Sequence, residues 1–96
     1  MTTFFVTRHA GAREWAARRG ITVDRMVSHI DPADVAPGDV VIGSLPVHLA
    51  AEVCERGGRY MHLSLDLPPE LRGVELTPSD MDNAGARIEE FFIRKQ

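Results

Sequence analysis

The residues best suited to chemistry are an arginine and a histidine near the start of the chain. Arg8 and His9 follow the apolar run Phe4–Thr7, and Gly11 comes two residues later. A guanidinium binds phosphate through two parallel hydrogen bonds, and imidazole transfers protons near neutral pH. We predict that Arg8 contacts a phosphate and that His9 moves a proton. The alternative is a loop pair held only by a salt bridge to a carboxylate.

A second group of candidates lies in the middle of the chain. Gly43, Ser44 and Leu45 follow a β-branched run, where a tight loop can turn backbone N–H groups towards phosphate. A glycine before a capping serine is also ordinary where a strand leads into a helix. His48 falls in the first turn of that helix and can point back to the same site. We predict ligand contacts by the first three residues and name His48 as the alternative to His9 in proton transfer.

Two further histidines belong to predicted strands. His29 ends the second strand and is therefore a predicted ligand-binding residue. His29 and Asp31 resemble a pair of metal ligands, but alternate strand residues face opposite sides, so we predict no metal site and no cofactor. His62 lies between Tyr60 and Ser64 in an alternating segment, where a hydrogen-bonded core histidine is the more common interpretation.

The elements that position these residues alternate between strand and helix. Apolar runs predict strands at residues 4–7, 23–30, 39–43 and 59–65. Helical spacing of apolar residues predicts helices at residues 12–19 and from Ser44 to Gly57. The β-branched run at 39–43 is typical of a central strand covered on both faces. For the tail, a short helix at 78–84 and a strand at 88–94 are preferred, with one continuous helix as the alternative.

This alternation indicates the fold class. Strands that alternate with helices imply βαβ units with right-handed crossovers and a mainly parallel sheet. We therefore predict an α/β fold in which residues 1–96 form a single Rossmann-like domain, with the sheet flanked by helices. Ligands of such sheets bind beyond the carboxyl ends of the strands, where helix N-termini attract anions. The predicted site residues Thr7 and Gly11 are selected by this rule, together with the candidates above.

Composition limits the partners of the chain. A domain of 96 residues has a thin core, so a second subunit would help to stabilise it. The net charge of −3 argues against a broad basic surface for duplex nucleic acid. Five arginines against two acidic residues precede His29, so an anion site should draw on this first third. No segment is apolar enough to cross a membrane and no signal peptide is recognised, so we expect a cytoplasmic protein.

Four stretches together resemble a known family. They are Thr7-Arg8-His9 through Glu14-Trp15, His29 to Pro32, Pro37 to Val47, and His62 to Gly73. The chain is similar to the small ancillary proteins of type III CRISPR systems over nearly its whole length. This resemblance implies a ring nuclease, a dimer with a CRISPR-associated Rossmann fold that cleaves cyclic oligoadenylate, chiefly cyclic tetra-adenylate, without metal. The resemblance assigns no role to any individual residue, so the site residues above are inferred from their position and chemistry.

The implied reaction requires little from the protein. A ribose 2′-hydroxyl attacks its neighbouring phosphate and leaves a 2′,3′-cyclic phosphate and a 5′-hydroxyl, so in-line positioning and charge stabilisation suffice, with or without proton transfer. One alternative is a protein that sequesters the ring without cleaving it. Another is a histidine phosphatase, whose Arg-His-Gly motif resembles Arg8-His9, although Ala10 replaces the glycine. The third is a protein-interaction module.

Overall fold

One five-stranded sheet runs through the computed structural model, which describes all 96 residues. The strands are β1 (Thr3–Val6), β2 (Arg25–Val27), β3 (Val40–Gly43), β4 (Arg59–Ser64) and β5 (Arg87–Phe91). Their order across the sheet is β2-β1-β3-β4-β5; the first four are parallel, and β5 is antiparallel to β4. The predicted α/β fold of Rossmann-like type is confirmed, with the β-branched strand β3 at its centre.

Three helices cover the two faces of this sheet. They are α1 (Ala10–Arg18), α2 (Val47–Glu55) and α3 (Pro78–Asn83). Successive strand residues point to opposite faces, so Phe4 packs in the core beneath α2, whereas Phe5 packs in the core beneath α1 and α3. None of the three helices combines the length and the apolar character that crossing a membrane requires.

The tail forms a helix followed by a strand, as preferred from the sequence. Helix α3 starts with a capping box, in which Thr77 Oγ1 accepts from the Asp80 N–H and the Asp80 carboxylate accepts from the Thr77 N–H. Gly85 then takes a φ of 68°, a conformation that glycine adopts without steric cost. This turn separates α3 from β5, so the single continuous helix is wrong.

Strand β2 is shorter than predicted. The prediction extended from residue 23 to residue 30, but only Arg25–Val27 pairs with β1. It is an edge strand whose single partner has only four residues, so few ladder hydrogen bonds are available to it. His29 therefore lies in the loop after β2, and Asp31 Oδ1 caps the following 3₁₀ turn by accepting from the Ala33 N–H at 2.9 Å.

Candidate functional site

A cleft of about 680 Å³ opens at the carboxyl ends of the parallel strands. After β1 the chain turns to α1 on one face, whereas after β3 it turns to α2 on the other, so the two loops diverge. Open α/β sheets bind ligands in the crevice at such a point. Six of the nine residues predicted for the site line this cleft: Thr7, Arg8, His9, His29, Ser44 and Leu45.

Strand register brings Arg8 and His29 together. Val6 pairs with Val27, so the residues two positions further along each chain segment meet beyond the strand ends. Arg8 Nη2 lies 3.3 Å from His29 Nε2. Because a guanidinium only donates, His29 Nε2 accepts, which requires a neutral ring with its proton on Nδ1. Arg8 forms no ion pair with a carboxylate, so its charge is not neutralised within the protein.

His9 stands at the N-terminus of α1, where a carboxylate from a distant segment also lies. The His9 N–H donates to Thr7 Oγ1 at 3.1 Å. Glu75 Oε1 accepts from the Ala10 N–H at 3.3 Å, and Glu75 Oε2 lies 3.8 Å from His9 Nδ1. Helix N-termini attract anions, so this exposed carboxylate occupies the position that a phosphate oxygen would take. A bound anion at this end of the cleft would compete with Glu75.

The loop after β3 is held by its neighbouring strand. Ser44 Oγ donates to Leu63 O at 2.7 Å, and the Leu45 N–H donates to Tyr60 Oη at 2.9 Å. Pro46 is the N-cap residue of α2, so the alternative interpretation of Ser44 as a capping residue is wrong. The serine hydroxyl instead donates to the backbone carbonyl of Leu63 in the neighbouring strand β4.

Three predicted site residues do not line the cleft. A Cβ at Gly11 would lie 1.9 Å from Leu76 O, so this glycine allows α1 to pack against the segment before α3. A Cβ at Gly43 would lie 2.9 Å from Val6 O, so this glycine allows β1 and β3 to approach closely. His48 is exposed in the first turn of α2, outside the lining of the cleft. The roles predicted for these three residues stay predictions.

His62 is a lining residue that was assigned to the core from the sequence. It is half-buried, next to Gly43 in the register of β3 and β4. Its Nδ1 lies 2.6 Å from Tyr60 Oη, and Tyr60 Oη also donates to Gly43 O at 3.1 Å. Burial raises the pKa of the Tyr60 phenol above its usual value of 10.0, so this group keeps its proton at neutral pH. In the sequence, the only feature that could have indicated a site role for His62 is its position near the end of an alternating strand.

The lining of the cleft combines basic and apolar groups without any acidic side chain. The chain has fourteen acidic residues, yet the lining contains none of them, whereas it contains one arginine and three of the four histidines. Ten of the 18 lining residues are hydrophobic, several of them leucines. A smaller cleft of about 300 Å³ shares Arg8 and His9 with the first cleft, and its lining also includes Arg13. Such a surface fits a ligand that carries both anionic and apolar groups.

No group of three histidine, cysteine, aspartate or glutamate side chains is arranged to hold a metal ion.

Comparison with known proteins places this fold in a family. The family model described as "Putative CRISPR-associated protein (Cas_VVA1548)" matches residues 4–94. The chain belongs to this family. The match spans every residue that lines the cleft, so the candidate site is contained in the region that defines the family. No curated protein and no solved structure matches the chain.

Proposed function

We propose that this CRISPR-associated protein is a ring nuclease of type III systems. It binds cyclic oligoadenylate, chiefly cyclic tetra-adenylate, in the strand-end cleft and cleaves it without a metal ion, which switches off the signal. The observation that carries the proposal is the composition of the cleft, whose lining has an arginine that pairs with no carboxylate, three histidines and no acidic side chain. Membership of a CRISPR-associated family supports the choice of this nucleotide.

The two kinds of surface in the cleft match the two kinds of group in the ligand. Each nucleotide of the ring carries one phosphate and one adenine. The Arg8 guanidinium is not paired with a carboxylate and is therefore available to a phosphate. Leucine side chains such as Leu45 and Leu49 provide apolar surface for the adenine.

The reaction proceeds by attack of a ribose 2′-hydroxyl on the neighbouring phosphorus. Arg8 binds the phosphate and stabilises the negative charge that develops on its oxygens. A histidine of the cleft accepts the hydroxyl proton; of the two histidines predicted for this step, only His9 lines the cleft. The products are a 2′,3′-cyclic phosphate and a 5′-hydroxyl. Because the nucleophile belongs to the substrate, the protein contributes position and charge rather than a covalent intermediate.

The size of the cleft favours a homodimer. A volume of about 680 Å³ is that of a site for one drug-sized molecule, so one subunit would contact only part of a four-nucleotide ring. A two-fold symmetric pair would present two such clefts to a ligand whose own symmetry contains a two-fold axis. The complete site would then include Arg8 from both subunits.

Purified protein incubated with cyclic tetra-adenylate in EDTA tests this proposal. Resolution of the products by liquid chromatography and mass spectrometry should show linear fragments that end in 2′,3′-cyclic phosphate. Tight binding without cleavage would instead favour a protein that sequesters the messenger. Cleavage that stops in EDTA and returns with a divalent ion would contradict the metal-free reaction.

A further inference from the structure

We propose that His62, rather than His9 or His48, is the residue that accepts the 2′-hydroxyl proton, with Tyr60 as the residue that positions its ring. This inference rests on the proposed function, since it names the base for that reaction. It follows from how the ring is held and from which of its nitrogens is free.

The ring of His62 has one nitrogen fixed and one nitrogen available. Nδ1 is bonded to Tyr60 Oη at 2.6 Å, and Tyr60 is only 1% exposed, so this side of the ring faces the core. Nε2 lies on the other side of the imidazole and has no partner in the protein. Since His62 lines the cleft, Nε2 is the nitrogen that a ligand there can reach.

The hydrogen bonds of Tyr60 accommodate a second proton on the imidazole. The Tyr60 hydroxyl has one proton and two lone pairs. One lone pair accepts from the Leu45 N–H, and the proton can be donated to Gly43 O. The second lone pair is then filled by Nδ1–H of His62, so protonation of Nε2 leaves no group of this network without a partner. An imidazolium can therefore form here without breaking a buried hydrogen bond.

Two aromatic contacts fix the orientation of the same ring. The Phe91 ring lies 5.8 Å from the His62 ring at an interplanar angle of 87°, and the Tyr60 ring lies 5.7 Å away at 68°. Both are edge-to-face arrangements, which aromatic pairs prefer. A catalytic group held by one hydrogen bond and two rings loses little freedom when the substrate binds.

The other histidines are less suited to this step. His9 is exposed, and its nearest charged partner is Glu75 Oε2 at 3.8 Å, too far for a hydrogen bond. His29 Nε2 is already engaged by Arg8, and His48 lies outside the lining of the cleft. Only His62 combines a held ring with a free nitrogen in the cleft.

The proposed step conserves protons and electrons. His62 Nε2 takes the proton of the 2′-hydroxyl as O2′ forms its bond to phosphorus. The bond between phosphorus and O5′ breaks, its electron pair stays on O5′, and O5′ takes a proton from water in the open cleft. His62 then gives its proton to the hydroxide that remains, which becomes water again, so the enzyme is regenerated.

Single-turnover cleavage of cyclic tetra-adenylate by four variants tests the inference. His62→Asn keeps an amide near the position of Nδ1, and so a hydrogen bond to Tyr60, but has no group at Nε2. Its rate should fall by ~10²-fold or more while the affinity for the ring stays near that of the wild type. His62→Gln should show the same loss, and His9→Asn, the matched change at the other candidate, a much smaller one. Tyr60→Phe should lower the rate more than the affinity, because it frees the His62 ring and also removes the acceptor of the Leu45 N–H.

Chemical rescue separates proton transfer from a structural role. Imidazole added to His62→Ala should restore part of the rate, because it can take the place of the missing base. Folded His62→Asn and His62→Gln variants that keep most of the wild-type rate would overturn this inference and leave the ring nuclease proposal standing. A wild-type protein that binds the ring without cleaving it would overturn the inference and the cleavage, whereas one that binds no ring would overturn both proposals entirely.

Discussion

Replacing Arg8 by alanine should weaken the binding of cyclic tetra-adenylate without destabilising the fold. A hydrogen bond to a charged partner contributes about 1.5–3 kcal/mol. Arg8 is exposed at the rim of the cleft, where water screens the interaction, so we expect the lower end of this range. About 1.5 kcal/mol corresponds to a roughly tenfold higher Kd. The same variant should cleave the ring more slowly, because in the proposed reaction the guanidinium also stabilises the charge of the transition state.

The free energy of unfolding should hardly change in this variant. The side chain of Arg8 makes one hydrogen bond, to His29, and it is exposed, so its removal should alter stability by less than about 0.5 kcal/mol. Arg56→Ala is the matched control, because it removes the same charge at the opposite end of α2 from the cleft.

Fluorescence anisotropy with a labelled 2′-deoxy cyclic tetra-adenylate, which cannot be cleaved, measures the affinities, and urea denaturation measures the stabilities. An Arg8→Ala protein that binds the ring as tightly as the wild type, or equal losses in Arg8→Ala and Arg56→Ala, would exclude a phosphate contact by Arg8.

Three further predictions concern the scaffold. Gly11→Ala should lower the free energy of unfolding by about 1–3 kcal/mol in urea titrations, because its Cβ would lie 1.9 Å from Leu76 O; an unchanged midpoint would contradict the close packing of α1. Hydrogen bonds from the Ala36 and Thr2 N–H groups lower the pKa of Asp39 below 3.8, so its contribution to stability is present above that pH and lost as the pH falls through the folded pKa. Thermal unfolding of Asp39→Asn between pH 2 and 5 should therefore depend less on pH than that of the wild type, and parallel curves would exclude this role. Light scattering should give twice the chain mass of 10.6 kDa, and a strict monomer at micromolar concentration with ligand present would contradict the homodimer.

Much of the fold could be predicted because each element has a local signal. The β-branched run before Gly43 has the pattern of a central strand, and β3 lies at the centre of the sheet. Gly85 separates α3 from β5 through its positive φ, which only glycine adopts readily. The length of β2 was less predictable, because the ends of an edge strand depend on the partner strand and not on its own apolar residues.

The candidate site was predictable in its place but not in its contacts. The rule that ligands bind at strand ends selected Arg8 and His29, and both line the cleft. Their contact depends on the register of β1 and β2, which no local pattern specifies. The bond between His62 and Tyr60 depends on where the tertiary structure places Tyr60 Oη, which the sequence does not show. The sequence pattern alone therefore favours a core role for His62. The place of Glu75 beside the site could not be predicted, because 65 positions in the sequence separate it from Ala10, from whose N–H it accepts a hydrogen bond.

Amide chemical shifts of the ¹⁵N-labelled protein, titrated with a cyclic tetra-adenylate whose 2′-hydroxyls are replaced by hydrogen, show directly whether the nucleotide binds in the strand-end cleft. Such a ring keeps the phosphates and the bases but cannot undergo the internal attack, so any complex that forms persists during the measurement. The largest shifts should map to the loops after β1, β2 and β3, around Arg8, His29 and Leu45, and to His62. No shift at saturating ligand, or shifts confined to surfaces away from this cleft such as the tail after β5, would contradict a nucleotide site at the strand ends.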